Sequence, residues 1–499
     1  MQKRATGIKA ILESSPLFII LVPAYVLLHL EKVFHHLVNY QFATGQITIM
    51  ILAAIILALA GILMSRNKKK GWIISFALIL SWFYLGIIKN YLQEKFPDSF
   101  LSSYSFILPL SFVLLLFVCY RIIKSNSSFN RAFLFINSLW IIFILMDGVS
   151  ILVQDFTRSN IRDKHAVNYM AETNVDSLRP DIYYVIFDSY SGSPVLKKIG
   201  FENNLVEDEL RTKDFRIIEK STSNYNLTPF SIGSTLNMKY IKDADTSKKY
   251  YLDDYLPAAN IIKFNGLVPW LEKQQYTISN FSFFDIEHHP ALIPSGGFWD
   301  IEDIYLQQNA GLKIYKDLSW NFNLPSLINA GKIQADIDKR DAYDDSVYAS
   351  LLSIAKTRAT SPRFVYAHFF MPHIPNSYDS NGNKIPVNTK LTVAQEMQGY
   401  ASEIKFVNRR INNIADAILQ NAHRPLVIIF QGDHGYRFYD NDMKADEFPN
   451  FNAVYFSNKD YSKLPDTLSN VNLFKVVLNT WFNQNIPLDN NKHYFLKYK

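Results

Sequence analysis

The 499-residue chain has a single cysteine, Cys119, set in an apolar run. That excludes an intrachain disulfide framework and a zinc site built on cysteines. It does not fix the compartment: oxidising surroundings permit disulfides without requiring them, and a core of this size does not need them. Acidic residues are scarce in the first third. Residues 1–153 hold 5 Asp+Glu against 13 Lys+Arg, a balance of +8, whereas residues 154–499 hold 40 against 38, a balance of −2. The overall +6 therefore belongs to the N-terminal part. This argues against nucleic acid as a partner, which calls for a basic folded domain. Internal repeats and low-complexity tracts are also missing.

The basic N-terminal part has five apolar stretches, at roughly 15–30, 47–64, 72–88, 105–120 and 132–153. Each of the last four is about the ~17–25 residues that cross a bilayer as a helix. The first is shorter, and Glu31 and Lys32 follow it. A small-x-small cleavage site is absent after it, so a span is preferred to a signal peptide. Lys3, Arg4, Lys9, Arg66, Lys68, Lys69, Lys70, Arg121, Lys124 and Arg131 fall at the N-terminus and in alternate loops. The other loops hold Lys32, Lys89 and Lys95. The positive-inside rule puts the richer set in the cytoplasm and residues 154–499 outside it. Asp147 lies close to the outer end of the last stretch, where a carboxylate can reach water. His35 and His36 read as surface residues.

The expected division is a five-helix transmembrane domain over 1–153, a juxtamembrane linker over 154–179, and an extracytoplasmic domain over 180–499. In the last of these, DIYYVIFD (181–188), RFVYAHFF (363–370), PLVIIFQ (425–431) and FNAVYFS (451–457) read as buried strands. Helical patterns lie between them. Ile404, Val407, Ile411, Ile414 and Ile418 recur at three- and four-residue steps, and 470–482 is a second such segment. Strands alternating with helices predict an α/β/α domain on a mostly parallel sheet. The stretch 281–330, including Glu287, His288 and His289, resists assignment.

In such a sheet the site lies at the carboxyl ends of the strands. Asp188 follows the first strand, His368 and His373 come at the end of the second, and Asp433 and His434 follow the third. Oxygen and imidazole groups delivered to one sheet edge suit zinc or manganese. Thr228-Pro229 opens a helix running through Phe230, Ile232, Leu236 and Met238. Thr228 reads either as the cap of that helix or as a nucleophile placed where a helix N-terminus favours phosphate. Asn226-Leu227-Thr228 is formally a glycosylation sequon, taken here as accidental.

Taken together, PDIYYVIFDSYS, NYNLTPFSIGSTLNM, FVYAHFFMPHIPN, FQGDHG and FNAVYF resemble the alkaline phosphatase superfamily. The similarity is to its membrane-anchored sulfatase-like transferases, such as lipoteichoic acid synthases and phosphoethanolamine transferases. The resemblance implies a divalent metal held by Asp188, Thr228, Asp433 and His434. It implies Thr228 as a nucleophile that becomes covalently substituted, His373 on the substrate side, and His368 and Arg437 as substrate contacts. It implies a bacterial cytoplasmic membrane protein that takes a phospho-substituent from a phospholipid and passes it to a cell-surface glycan or lipid. A hydrolase using water as acceptor, and a non-catalytic binding module, remain open alternatives. Two departures matter. The segment 436–450 lacks the further histidines usual in phosphoethanolamine transferases. The Cys or Ser-x-Pro-x-Arg motif of classical sulfatases is absent, so sulfate ester chemistry through formylglycine is not expected.

Overall fold

The computed structural model describes all residues except 1, 34–39, 97–98, 166–178, 242–243, 251–254, 292–324, 387–390, 438–440 and 499. His35 and His36, the second half of the expected linker and most of 281–330 lie outside the described residues. The chain forms two compact units, Met1–Ser159 with Asp300–Asn329, and Asn160–Trp299 with Ala330–Lys499.

The first unit is built on helices α1 (Gln2–Ser14), α2 (Phe18–Val33), α3 (Tyr40–Ser65), α4 (Lys68–Lys95), α5 (Tyr104–Lys124) and α6 (Asn130–His165). Among the described residues, four helices are long and apolar enough to cross a membrane, or five if one bent pair makes a single span. That pair is α1 and α2, which meet at 91°. The break falls at Ser15-Pro16, where proline cannot donate to the preceding turn. Asn137 on α6 satisfies the freed groups: its Nδ2 donates to Leu12 O and Ser15 O at 2.8 and 2.9 Å, and its Oδ1 accepts from Phe18 N at 2.8 Å. Such bonds are obligatory where water is excluded. Asp147 is 4% exposed and paired with Lys32 Nζ at 2.6 Å and His29 Nδ1 at 2.8 Å. It therefore ties α6 to α2 rather than facing water.

The second unit carries strands β1 (Asp181–Phe187), β2 (Arg216–Ile217), β3 (Lys220–Thr222), β4 (Lys249–Tyr250), β5 (Thr277–Phe281), β6 (Arg363–Phe369), β7 (Leu426–Gly432), β8 (Asn452–Phe456), β9 (Thr467–Ser469) and β10 (Lys497–Tyr498). The main sheet has the order β2-β8-β7-β1-β6-β5. β1 runs parallel to β6 and β7, and β5 parallel to β6, while β8 is antiparallel to β7 and β2. The sheet is thus mixed and mostly parallel. β1, β6 and β7 are buried along their whole length, which explains their unbroken apolar sequence.

Among the described residues, the α-helices that follow β1 are α7 (Ser193–Lys198), α8 (Asn204–Thr212), α9 (Thr228–Asn237), α10 (Tyr255–Lys263), α11 (Leu267–Lys273), α12 (Pro325–Lys356), α13 (Val393–Gln420) and α14 (Leu473–Trp481). α13 starts in a capping box, with Thr392 accepting from Gln395 N. Its Ile404, Val407, Ile411, Ile414 and Ile418 are all buried, as their spacing predicts. The short strands β2 and β5 were not expected. TISNF carries Thr, Ser and Asn among its five residues, and an edge strand needs only one apolar face.

Candidate metal centre and nucleophile

The parallel register sets the site. Phe187 pairs with Gly432, so the next residues, Asp188 and Asp433, leave neighbouring strands side by side. His368 pairs with Ile186 on the other flank of β1. One ligand atom from each of Asp188, His368 and Asp433 lies within 4.8 Å of the others, and all three residues are buried. The glycines of QGDHG fit close backbone contacts rather than an open turn. A Cβ on Gly432 would stand 2.2 Å from Tyr190 O, and one on Gly435 would stand 2.4 Å from Asp446 O.

His434 turns back into the same space. Its Nδ1–H donates to Gly435 O at 2.7 Å, so Nε2 carries the lone pair of the neutral ring. That Nε2 lies 3.6 Å from Asp188 Oδ1 and 3.4 Å from Asp433 Oδ2. Burial, then the Arg437 charge, holds the ring well below the usual imidazole range. Burial, then the adjacent Asp433, raises Asp188 well above the carboxylate range. Asp433 Oδ2 and His368 Nε2 are buried with no hydrogen-bond partner. Two buried carboxylates beside lone-pair imidazoles, with orphaned ligand atoms, form a donor set that fits a divalent cation.

Thr228 is not the cap of α9. The cap position is Leu227, no side chain caps it, and Thr228 and Pro229 open the first turn. The Thr228 hydroxyl instead lies 3.3 Å from His434 Nε2 and is 2% exposed. Ser231 is committed elsewhere, donating to Asp433 O at 2.6 Å. Asn226 is fully buried and bonded to Glu447 and Leu496, which closes the sequon to glycosylation.

Arg437 is not a free surface side chain. Its Nη2 is 2.7 Å from His434 Nε2, its Nε donates to Asn226 O at 3.1 Å, and its guanidinium lies 5.1 Å from the Tyr498 ring centroid. His373 donates from Nδ1 to Ile374 O at 2.5 Å. Burial, then the Arg437 charge, holds it down to about 3. His368 is a histidine of the cluster rather than an ordinary core residue, and burial holds it down to about 4. The resemblance implies a substrate contact for His368; its orphaned Nε2 makes it a candidate ligand as well, a signal that sequence does not carry. His289 is engaged with Glu272 at 2.8 Å.

The sulfatase family model matches residues 246–491. Over that stretch the chain is sulfatase-like. The matched stretch includes His368, His373, Asp433, His434 and Arg437, while Asp188 and Thr228 precede it. A comparison with curated proteins returns no match. Similar solved structures include the C-terminal periplasmic domain of EcEptC from Escherichia coli, at 12% identity and TM-score 0.38, over 62% of this chain and 84% of that one. The integral membrane lipooligosaccharide phosphoethanolamine transferase A of Neisseria meningitidis matches at 13% and 0.34, over 95% of both chains. The periplasmic domain of phosphoethanolamine transferase EptC from Campylobacter jejuni matches at 12% and 0.35, over 64% and 95%. Likenesses this distant assign no role to any residue here.

Proposed function

We propose that the protein is a metal-dependent transferase of a phosphoglycerol or phosphoethanolamine group. Its donor is a phospholipid, its acceptor a cell-surface glycan or lipid, and Thr228 is the covalent carrier. The observation that carries this reading is the Thr228 hydroxyl, released from capping and aimed at a buried nest of carboxylates and imidazoles. The positive-inside pattern supports a membrane protein with its sulfatase-like domain outside the cytoplasm, and the resemblance to the transferases supports a bacterial cytoplasmic membrane.

Asp188, Thr228, Asp433 and His434 would hold the cation, zinc or manganese, with His368 completing the set. When bound, such a cation polarises a phosphoryl oxygen and lowers the pKa of a neighbouring hydroxyl. The chain's own residues do the rest. Thr228 Oγ1 bonds to phosphorus, and the bond from phosphorus to the diacylglycerol oxygen breaks. The proton leaving Thr228 is released to water, and the departing diacylglycerol oxygen, positioned by His373, takes up a proton from water in its place. Arg437, fixed by Asn226 O, faces the phosphoryl oxygens as a charge clamp. In the second half an acceptor hydroxyl bonds to phosphorus, the bond to Thr228 breaks, and the acceptor's proton restores the threonine.

The test is intact mass spectrometry of the detergent-purified full chain after exposure to phosphatidylglycerol or phosphatidylethanolamine vesicles with manganese or zinc. Thr228→Ala is run beside it. An adduct on the wild type alone establishes the carrier, and its mass names the group. A wild type with bound metal, no adduct and no diacylglycerol release overturns the reading. Diacylglycerol release with free headgroup phosphate, and no transfer to an added glycan or lipid, makes the protein a hydrolase.

A further inference from the structure

The segment that follows β6 carries His373 and has two prolines, Pro372 and Pro375, in FMPHIPNS (370–377). Prolines cannot donate backbone hydrogen bonds. Yet the segment is held throughout, and mostly from one turn of α12, the sequence RDAYD (340–344). Asp344 accepts from Phe370 N at 2.8 Å and from Met371 N at 3.0 Å, one carboxylate oxygen each. Arg340 donates from Nη1 to His373 O at 3.0 Å and from Nη2 to Pro375 O at 2.7 Å. Tyr343 donates to His368 O at 2.8 Å. Asp341 accepts from Ser377 Oγ at 2.7 Å, and Asn376 donates to Glu403 of α13.

These bonds reach main-chain groups on both sides of His373 and at His368. Residues 340, 343 and 344 share one helical face, and Val347 and Leu351 continue it into the apolar core. Arg340 is 3% exposed and Asp344 1%. Burying such charges is a weak source of stability, because apolar residues of similar size serve as well or better. Fixing the geometry of a donor-poor loop is a stronger reason for them.

We propose that Arg340 and Asp344 are positioning residues that set His373 against the Thr228 centre. They touch the loop's backbone and act through it. The kinetic part of this proposal rests on the transferase reading; the structural part does not.

The test compares Arg340→Lys and Asp344→Asn with the wild type, each as the full chain in detergent. Lysine keeps the charge but loses the fork that spans two carbonyls. Asparagine keeps the shape but can accept from one N–H while its amide faces the other. Adduct formation and turnover are followed with phosphatidylglycerol or phosphatidylethanolamine vesicles and manganese. We expect kcat to fall about 10- to 100-fold, the loss typical of a misplaced catalytic group, with KM within about threefold. Amide exchange should accelerate at 368–377 and stay unchanged in β1 and β7. Unchanged kcat with unchanged exchange at 368–377 overturns the proposal. So does exchange raised equally across the sheet, which marks a merely structural role. If the wild type itself forms no product, the transferase reading fails, and exchange at 368–377 in the two variants still decides whether the clamp exists.

Discussion

Gly432→Ala tests whether backbone proximity builds the site. An added Cβ would stand 2.2 Å from Tyr190 O and 3.0 Å from its carbonyl carbon. Ordinary contact begins near 3.4 Å, so β7 and the turn after β1 must part by about 1 Å. Neither side is free to move. Tyr190 O accepts from Phe451 N at 2.9 Å, and Gly432 N donates to Phe451 O at 2.8 Å. Overpacking costs about 1–3 kcal/mol, and each strained buried hydrogen bond adds about 1 kcal/mol. The sum is roughly 3–5 kcal/mol, which in a domain of this size lowers the melting midpoint by roughly 5–8 °C. The same shift separates Asp433 from Asp188, so affinity for manganese or zinc should fall at least about tenfold. Scanning calorimetry and metal titration of the full chain measure both. A variant that melts within about 2 °C of wild type and binds metal equally would refute the argument that this close approach sets the two acids.

Thr228→Ser should still form the adduct, at a reduced rate, whereas Thr228→Ala should form none; mass spectrometry distinguishes them. Asn137→Leu removes the groups that satisfy the α1–α2 break, and at about 0.6 kcal/mol per intramembrane bond it should cost roughly 2 kcal/mol. Unfolding in a dodecyl sulfate titration reads this, and an unshifted midpoint counts against the break being held by Asn137. Glu403 is fully buried, and burial pushes its carboxyl up to about 7 from 4.5. The folded state keeps a proton that the unfolded chain has already released. Its contribution is therefore full below about 4.5 and is lost as pH rises to about 7. Glu403→Gln should flatten the fall of melting midpoint over that window; an unchanged slope would place the titration elsewhere.

What the sequence made legible follows from which forces leave a pattern. β1, β6 and β7 are buried along their whole length, so their apolar runs announced them, with Asp188 and Asp433 just past the ends of two and His368 within the third. The five isoleucine and valine positions of α13 did so by helical spacing. The first membrane stretch matches α2, but the bend before it left no mark, because hydropathy does not register direction. Pro16 breaks the helix, and the Asn137 that makes the break tolerable lies about 120 residues away. β5 and β2 were missed because short edge strands bury too little to impose a period.

The site divides in the same way. Ligand types at strand ends could be read from QGDHG and FDSYSG, because chain order and sheet register place them together. What supports the ligands could not. Thr228 loses its capping role only once Leu227 is seen to occupy that position. His368 is told apart from a core residue only by an orphaned Nε2 beside two acids. Arg340 and Asp344 sit in a helix for which the sequence offered no reading. Only when α12 is packed against β6 do those charges turn inward, onto carbonyls and amides that two prolines left without partners. A buried charge that bonds to main chain has no signature of its own in a sequence, and the residues most exacting about site geometry are therefore the hardest to read from it.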